Sequence, residues 1–562
     1  MNKFNRLYTE ETMNQEFPLS EYPFPQFKRD SYLSLNGAWE YKITKNQNDF
    51  LEMDGKILVP FPIESHASKV EKRIQKDEYI IYKKQFNIDE NFIKKHTFIH
   101  FLGVDQTYYI ILNGIKFEKV TPLNFPTKID ISKAIQENNE LIVVVKDNLD
   151  PKYPLGKQSN KPKGIFYTPF SGIYYPVFLE SVDDGYIESI KIQTTMETLS
   201  LSIESTSVDF EVTIKDEDKI IITEKITKEH TFKIPNPKLW EPNNPHLYTL
   251  EIKTSTDSIN SYFGLREIKL VDGFIHLNNK RIFINGVLDQ GYYPEGIITP
   301  VNYQSFEKDI LTMKELGFNT LRKHIKIEPL YFYYLCDKYG MLVIQDFVNN
   351  GEYNFLRDTA LPTIRVNVPE FLLLNKTRKA DQIFYEQMEL TTSLLYNTTS
   401  LFMYTIYNEG WGQKNPDKAY LKLKELDSTR LIDATSGWFE RKNTDFNSLH
   451  IYFRRIKLKE NKKPIFISEF GGFAYKLKEH SFNPDNTYGY GLFSNQEDYQ
   501  SAIDDLYLNQ VVPNISRGLM GTIYTQVSDV EDETNGLLTY DRKICKVDKE
   551  RMLKIKDKLI IK

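Results

Sequence analysis

Two apolar segments of the sequence run into a glutamate. Residues 401–407 lead through Asn408 to Glu409, and residues 464–468 lead directly to Glu469. Hydrolysis of a glycosidic bond needs two facing carboxylates, one protonated to assist the leaving oxygen and one ionised to attack the anomeric carbon. For either segment alone, a surface glutamate that caps a loop is an equal explanation. The two together indicate glycosidase chemistry, without assigning which glutamate does what.

The acid of such a pair must keep its proton near neutral pH. This requires a raised pKa, which apolar burial or a neighbouring negative charge supplies. Trp411 stands two residues after Glu409 and is a candidate for an apolar wall beside it. The sequence therefore places Trp411 among the predicted pocket residues.

The region that carries both glutamates alternates between strand-like and helix-like segments. The eight candidate strands, recognised as apolar runs between turn residues, are residues 281–284, 320–322, 342–346, 401–407, 431–434, 448–452, 465–468 and 522–527. Helical patterns between them include residues 305–316, 329–339 and 420–426. These units predict one (β/α)₈ TIM barrel over residues 272–562, with its chemistry at the carboxyl ends of the strands. Glu409 and Glu469 follow the fourth and seventh strands, so both should reach the same rim.

Two β-rich regions precede the predicted barrel. Residues 1–182 carry alternating strands such as 141–145 and an Asn113-Gly114 turn signal, which indicates a jelly-roll-like β-sandwich. Residues 183–271 carry shorter strands rich in Lys, Thr and Ser, which indicates an immunoglobulin-like β-sandwich. The predicted fold class is therefore multidomain β plus α/β, with two sandwiches followed by a catalytic barrel.

Composition and charge narrow the classes of partner. The 562 residues include 72 Lys and Arg against 77 Asp and Glu, a net charge of −5 without a basic tract, which argues against nucleic acid or an anionic membrane as partner. Cys336 and Cys545 offer neither a disulfide framework nor zinc-ligand spacing, and no cofactor is expected. We find no apolar leader and no run near the ~18 apolar residues of a membrane helix. A cytoplasmic protein is expected, and association as a homo-oligomer stays open.

The chain also resembles glycoside hydrolase family 2, which contains β-galactosidases, β-glucuronidases and β-mannosidases. The resemblance spans nearly the whole sequence. Its motifs, in the family's order, are residues 35–39, 59–62, 171–177, 239–242, 246–248, 264–266, 283–286, 408–409 and 468–471. Each motif alone is a moderate signal, whereas their order and spacing together make a strong one.

This resemblance implies roles within the glutamate pair. Glu409 would be the general acid/base and Glu469 the nucleophile, while Asn408 would hydrogen-bond the sugar 2-hydroxyl. Arg322, at the end of the second strand, would pair with the nucleophile and keep it ionised. A purely structural ion pair is the alternative for Arg322.

Further residues at strand ends are predicted to bind substrate. With those above, the predicted substrate-binding set is Asp289, Gln290, Arg322, His324, Asp346, Asn408, Trp411, His450, Tyr452 and Tyr524. The set departs from the family's pattern in two ways. His324 follows Arg322 by two residues, whereas the family commonly has a spacing of three. Asp289 and Gln290 stand where relatives usually carry an Asn/His pair. Tyr524 or Gln526 stands where relatives carry a tryptophan. Trp438 is a second aromatic candidate that core packing explains equally well.

The sequence thus predicts a retaining exo-β-glycosidase, most similar to a β-galactosidase, that acts on a glycoside or oligosaccharide. The alternatives are an α-L-arabinofuranosidase, β-glucosidase, β-mannosidase or β-glucuronidase, or a catalytically inactive carbohydrate-binding protein. No Asn-x-Lys pair follows Glu469 as in glucuronide-binding relatives, and residues 348–353 lack the metal ligands of large β-galactosidases. Lys323 should point to the outer layer of the barrel, which leaves Lys326 as the cation that could receive a uronate. We therefore expect a preference for neutral β-glycosides, and no catalytic metal.

Overall fold

The amino-terminal part of the chain forms an antiparallel β-sandwich. The computed structural model describes residues 4–361, 378–411, 413–437, 439, 441–458 and 461–559. With strands numbered in chain order, the larger sheet consists, from edge to edge, of β3 (Gly55–Val59), β2 (Gly37–Thr44), β4 (Tyr79–Asn87), β10 (Asn138–Lys146), β7 (Thr107–Leu112) and β8 (Ile115–Lys116). The smaller sheet consists of β1 (Leu33–Ser34), β12 (Val177–Val182), β5 (His96–Phe101) and β9 (Thr127–Asp130), and β6 (Val104–Asp105) pairs with β11 (Gly172–Ile173). Inward side chains of both sheets pack around the buried Trp39, whose indole N–H donates to the Leu35 carbonyl.

A second, smaller sandwich follows. One sheet consists of β13 (Ile187–Thr194), β14 (Thr198–Ser205) and β17 (Glu229–Lys233); the other consists of β16 (Lys219–Ile226), β15 (Phe210–Asp216), β20 (Tyr248–Lys253) and β21 (Ser258–Phe263). A short pair, β18 (Trp240–Glu241) and β19 (Asn244–Pro245), lies beside them. In β14 the buried side chains alternate with polar ones, at Leu199, Leu201 and Ile203, because successive side chains of a strand point to opposite faces.

A three-stranded antiparallel sheet leads into the barrel. Its strands are β22 (Ile268–Val271), β23 (Phe274–Leu277) and β24 (Lys280–Arg281). This sheet corrects the predicted first barrel strand, because Arg281 pairs with His276 in the hairpin and the barrel strand starts at Ile284. The turn at Asn278 and Asn279, both with positive φ, separates the two hairpin strands.

The barrel itself is an eight-stranded parallel sheet. In chain order its strands are β25 (Ile284–Asp289), β26 (Thr320–Lys323), β27 (Leu342–Asp346), β28 (Leu401–Asn408), β29 (Leu431–Ser436), β30 (Asn447–Ile451), β31 (Ile465–Gly471) and β34 (Leu519–Thr525). The ladder runs in this order around the barrel, and β29 and β30 lie side by side without a ladder between them, so the barrel is nearly closed. Two short strands, β32 (Phe473–Tyr475) and β33 (Gly491–Phe493), pair beside it.

Helices cover the outside of the barrel. The α-helices are Gln304–Glu315, Leu330–Tyr339, Arg378–Leu395, Pro416–Leu426, Gln496–Asp504, Val512–Ile515 and Lys549–Leu559. The chain also contains 3₁₀-helical segments, Glu90–Phe92 in the first sandwich and Lys478–His480 in the barrel region. Its π-helical segments are Leu356–Ala360 and Asp505–Val511. In the part of the chain that the structure describes, none of the helices combines the length and apolar character that spanning a bilayer requires.

The first sandwich also touches the carboxyl-terminal rim of the barrel. The connection between β10 and β11 reaches the loop after the third barrel strand, where the Leu155 N–H donates to the Asn349 carbonyl at 3.0 Å. At Gly156, a Cβ atom would lie 3.1 Å from the Ile325 carbonyl, so the backbone runs close to the loop after the second strand. Residues of the sandwich therefore stand beside the rim that carries the two glutamates.

Candidate active site

The two glutamates meet at the carboxyl-terminal rim. Glu409 directly follows β28, with a positive φ of 52°, and its N–H donates to the Ser436 carbonyl at 2.7 Å. Glu469 lies within β31. One carboxylate oxygen of Glu409, one of Glu469 and a ring nitrogen of His450 lie within 4.8 Å of one another. The fold thus brings together two carboxylates that are 60 residues apart in sequence.

Glu469 is surrounded by groups that favour its ionised form. Arg322 donates to Oε1 at 3.2 Å, and the Tyr452 hydroxyl donates to Oε2 at 2.5 Å. Burial alone would raise the pKa of Glu469, but the positive charges of His450 and Arg322 and the Tyr452 hydrogen bond outweigh it and hold that pKa below its usual value. Glu469 is therefore an ionised carboxylate near neutral pH.

Arg322 connects four strands of the barrel behind this carboxylate. Its side chain is fully buried and forms a two-point contact with Asp346, at 3.0 and 2.9 Å. It also donates to the Ser468 carbonyl and to the Asn408 side-chain oxygen, each at 2.9 Å. A planar guanidinium with donors in fixed directions suits this arrangement. Because Asn408 uses its oxygen here, its NH₂ group is the part that can meet a substrate.

Asp346 and His324 lie behind Arg322. The ring Nδ1 of His324 is 2.8 Å from Oδ2 of Asp346, so both oxygens of Asp346 are engaged by these two residues. Burial lowers the pKa of His324, Asp346 opposes this shift, and the charge of Lys157 adds to it. Asp346, predicted to bind substrate, is placed instead where it holds Arg322 and His324.

Asp289 corrects another predicted substrate contact. Leu288 belongs to the inner layer of the barrel, so the next side chain points outward, and Asp289 pairs with the buried Lys323 at 2.8 Å. Lys323 also pairs with Glu328 at 2.6 Å, which agrees with its expected outward direction. Lys326 pairs with Glu328 at 2.7 Å and donates to two backbone carbonyls. Neither lysine is placed to receive a substrate carboxylate.

Tyr524 is the second correction, for the same geometric reason. Its ring packs in the outer apolar layer against Phe470 and Tyr507, with centroid distances of 5.8 and 6.4 Å. The following residue, Thr525, faces the site, since its hydroxyl is 2.9 Å from the Tyr452 hydroxyl. Tyr524, predicted to bind substrate, therefore lies one residue before the strand position that faces the site.

The remaining aromatic and amide candidates occupy different places. Trp411 is buried against Phe166 and Tyr353, with centroid distances of 5.6 and 5.7 Å, so it joins the first sandwich to the barrel rim. Gln290 is buried after the first strand, and its Oε1 has no hydrogen-bonding partner among the described residues. Gln526 donates to Asn535 at 2.9 Å. Trp438, also considered above, lies outside the described residues.

His450 stands between the two glutamates. Its Nδ1 is 3.0 Å from Oε1 of Glu409 and 3.4 Å from Oε2 of Glu469, and its Nε2 is 2.9 Å from the Ser436 hydroxyl. The side chain is fully buried. His450, predicted only as a substrate ligand, thus contacts both carboxylates of the pair.

Three residues near the site escaped the sequence reasoning. Lys157, from the first sandwich, is 8% exposed, and no described carboxylate pairs with its ammonium. Glu533, from the loop after the eighth strand, accepts the Tyr167 hydroxyl; burial raises its pKa, and the charge of Lys157 opposes this. Tyr490 stacks on Tyr452 at 3.7 Å. Glu533 could have been predicted as a site residue because it follows a barrel strand. Nothing in the sequence marked Lys157, because it lies in a loop of the first sandwich.

A cation is the other ligand to consider for this rim. The trio Glu409, His450 and Glu469 has the proximity that metal ligands show. Oε1 of Glu409 faces Nδ1 of His450, and the two oxygens of Glu469 accept from Arg322 and Tyr452. The arrangement is therefore explained by hydrogen bonds, and the sequence-based expectation of no catalytic metal stays a prediction.

This fold and rim define a class, the TIM-barrel proteins with carboxylates at strands four and seven and sandwiches before the barrel. The profile described as "Glycosyl hydrolases family 2, TIM barrel domain" matches residues 268–552, and that described as "Glycosyl hydrolases family 2" matches residues 184–266. The chain belongs to glycoside hydrolase family 2.

Individual relatives are more distant. A β-galactosidase of Staphylococcus xylosus is 26% identical over 383 residues, covering 66% of this chain and 37% of the relative. One of Thermoanaerobacterium thermosulfurigenes is 27% identical over 381 residues, covering 58% and 52%. The chain thus spans about half or less of these relatives' length.

Solved structures support the fold over nearly the whole chain. The β-D-glucuronidase of Dictyoglomus thermophilum superposes with a TM-score of 0.74 at 20% identity, covering 96% of this chain and 98% of that one. A β-galacturonidase of Eisenbergiella tayi superposes with a TM-score of 0.68 at 19% identity, covering 95% and 97%. These similarities confirm the multidomain fold of β-sandwiches and a TIM barrel.

Proposed function

We propose that this chain is a retaining exo-β-glycosidase for neutral sugars, with a β-galactoside as the best candidate substrate. The observation that carries the proposal is the proximity of the two carboxylates, one oxygen of each lying within 4.8 Å of the other. Retaining glycosidases hold their carboxyl groups about 5–5.5 Å apart, whereas inverting ones leave about 6.5–9.5 Å for a water molecule. The measured proximity supports the retaining arrangement.

The surroundings of the glutamates support their roles. Glu469, held ionised by Arg322 and Tyr452, attacks the anomeric carbon while the bond to the leaving oxygen breaks. Glu409, whose side chain is 19% exposed, donates its proton to that oxygen. In the second step, Glu409 removes a proton from water, and the water oxygen displaces Glu469 from the sugar. Asn408 offers its NH₂ group to the 2-hydroxyl, an interaction that strengthens in the transition state.

The first sandwich supports action at a chain end. Its Leu155 and Gly156 lie against loops after the second and third barrel strands, and its Phe166 packs on Trp411. These contacts cover one side of the rim with residues from outside the barrel. A rim covered in this way favours a pocket for one terminal sugar over a groove open at both ends.

Lys157 favours a second candidate, a β-uronide. The sequence left Lys326 as the cation for a uronate, but Lys326 is engaged by Glu328. The buried Lys157 is another such cation, within electrostatic reach of His324 and Glu533. Glu533 weighs against this candidate, because a uronate would face the carboxylates of both Glu533 and Glu469. A sugar hydroxyl, which can accept from Lys157 and donate to Glu533, suits both groups. We therefore keep the neutral sugar as the proposal.

The stereochemical outcome tests the proposal directly. Hydrolysis of a nitrophenyl β-galactoside, followed by proton NMR from the first minute, should show the β-anomer of the free sugar before mutarotation. The Glu469→Gln variant is the control for non-enzymatic hydrolysis. First appearance of the α-anomer would contradict the retaining mechanism, and absence of turnover on a panel of neutral nitrophenyl glycosides would contradict the substrate class.

A further inference from the structure

His450 is held in one position between the catalytic carboxylates. Its ring lies 3.0 Å from Glu409 and 3.4 Å from Glu469 through the same nitrogen, Nδ1. Gly437 packs against the ring so closely that a Cβ atom there would lie 2.6 Å from it. The backbone at Gly437 thus lies directly against the ring, and the two ring nitrogens have different neighbours.

Three serine hydroxyls beside the ring determine which nitrogen carries hydrogen. Ser468 lies 2.8 Å from Ser436, 2.7 Å from Ser448 and 3.5 Å from the Leu449 carbonyl. A carbonyl only accepts, and each hydroxyl has one hydrogen to donate. Ser468 therefore donates to the carbonyl, and Ser436 and Ser448 both donate to Ser468.

This count leaves Ser436 as an acceptor towards the ring. Its hydrogen is used on Ser468, so at 2.9 Å from Nε2 it accepts the N–H of His450. Nε2 then carries hydrogen in the neutral ring and in the imidazolium alike. The proton that His450 gains or loses is the one on Nδ1, which faces Glu409.

The groups around His450 leave one proton for it to share with Glu409. Among the described residues, the charged or titratable neighbours include Glu409 after β28, Glu469 on β31, Asp433 on β29 and Tyr452 directly after β30. Glu469 is satisfied by donors from Arg322 and Tyr452. Without a proton between them, the bare Nδ1 would face the carboxylate of Glu409 at 3.0 Å, an unfavourable contact of two acceptors.

We propose that His450 is a positioning residue that stores the proton of Glu409, with Ser436 fixing the tautomer that makes this storage possible. The proposal rests on the proposed retaining function. As the Glu469–carbon bond forms and the bond to the leaving oxygen breaks, the proton shared by Nδ1 and Glu409 passes through Glu409 to that oxygen, leaving a neutral ring and an ionised Glu409. In the second step the proton from water passes through Glu409 back to Nδ1. One proton leaves and one returns in each cycle.

Nitrogen NMR of the ¹⁵N-histidine-labelled full chain tests this proposal without turnover. The His450 signals are assigned by their loss in His450→Asn. We expect Nε2 to carry hydrogen in every spectrum, so that any change of the ring with pH appears at Nδ1. A neutral ring that carries its hydrogen on Nδ1 would overturn the proposal.

Two variants separate storage from mere packing. In Glu409→Gln the amide can donate to Nδ1, so the Nδ1 signal should become that of a nitrogen without hydrogen while Nε2 keeps its hydrogen; an Nδ1 signal unchanged from the native chain would contradict the proposal. In Ser436→Ala the neutral ring should no longer favour the tautomer with hydrogen on Nε2. Ser448→Ala alters the same serine group without touching the ring and should leave the tautomer as in the native chain.

Proton storage also predicts a loss of kcat that is larger for substrates whose leaving group needs a proton. Ser436→Ala should lower kcat on alkyl galactosides roughly tenfold more than on dinitrophenyl galactoside, whose leaving group needs little protonation, and Ser436→Thr should restore most of it. An equal loss on both substrates, with the tautomer preserved, would refute proton storage. Because the NMR result does not need activity, it also stands if the retaining function itself is disproved.

Discussion

At the scale of single residues, the two glutamates differ in what surrounds them, and this difference predicts their variants. Glu469→Ala should abolish trapping of the enzyme by a 2-fluoro glycoside, because the trapped enzyme carries the sugar covalently bound to that carboxylate. Glu409→Ala should keep more activity on nitrophenyl than on alkyl glycosides, because good leaving groups need little proton donation. Intact-protein mass spectrometry and steady-state kinetics measure the two effects.

Azide and a surface variant control these measurements. In Glu409→Ala, azide should raise turnover by occupying the space of the missing carboxylate and should yield the β-glycosyl azide. Glu425→Ala, on the exposed face of the helix Pro416–Leu426, should behave as the native chain. Formation of the β-glycosyl azide by the Glu469 variant, combined with normal trapping of that variant, would reverse the assignment.

The position of a residue could be predicted from sequence where the chain itself marks a strand end, while the roles of the site residues stay predictions. Glu409 and Glu469 each close a conspicuous apolar run, and the structure places them together. Asp289 and Tyr524 were assigned to the pocket, but an error of one residue turns a strand side chain to the opposite face. Lys157 could not be foreseen, since the contact of its loop with the barrel depends on how separate sheets pack.

At the scale of elements, the proposed sugar specificity rests on two loops: the connection between β10 and β11, which carries Lys157, and the loop after β34, which carries Glu533. With both charges present, nitrophenyl galactoside should be turned over at least about tenfold more efficiently than the glucuronide, a difference of only ~1.4 kcal/mol. Glu533→Gln removes the carboxylate that would repel a uronate and should narrow this ratio. Parallel kcat/KM measurements decide the point.

The control for this prediction lies on the same loop. Lys157→Met should weaken both substrates, whereas Lys161→Met, at an exposed position, should change neither. A native preference for the glucuronide that Lys157→Met abolishes would show that Lys157 binds a carboxylate, and the uronide candidate would replace the neutral sugar.

Elements were more predictable than their exact limits. All eight barrel strands overlap the predicted segments, because apolar runs bounded by turn residues mark parallel strands well. The first was placed early, at 281–284 instead of Ile284–Asp289, since Lys280 and Arg281 form a hairpin strand just before it. Hairpin pairing depends on a partner strand, which a run of apolar residues does not reveal.

At the scale of the whole molecule, Arg29 joins the two sandwiches and makes stability sensitive to acid. It pairs with Glu180 of the first sandwich at 3.2 Å and with Asp257 of the second at 2.9 Å. Burial opposes ionisation of Glu180, but the His100 hydrogen bond and the Arg29 charge prevail and lower its pKa to about 2. A lowered pKa stabilises the folded chain above the unfolded value of about 4.3, and this contribution is lost as pH falls towards 2.

Glu180→Gln should therefore lower Tm at pH 7, with a loss on the order of 3 kcal/mol for breaking a buried pair. The gap between native and variant Tm should shrink as the pH falls from about 5 to about 3, as thermal melts would show. Glu188→Gln is the control: its pair with Lys128 is long, at 3.7 Å, and largely exposed, so it should change Tm little. A gap that is constant over this pH range would contradict the role of Glu180.

The contact between the first sandwich and the barrel rim has a consequence for how such a protein can diversify. Arg322 joins four barrel strands at Glu469, so a change at any one of its partners disturbs the others, and these residues form one block. Lys157 and Glu533 sit on loops outside that block. If these loops select the sugar as proposed, substitutions there can change the preferred sugar while Arg322 and its partners, and with them the reaction, stay unaltered.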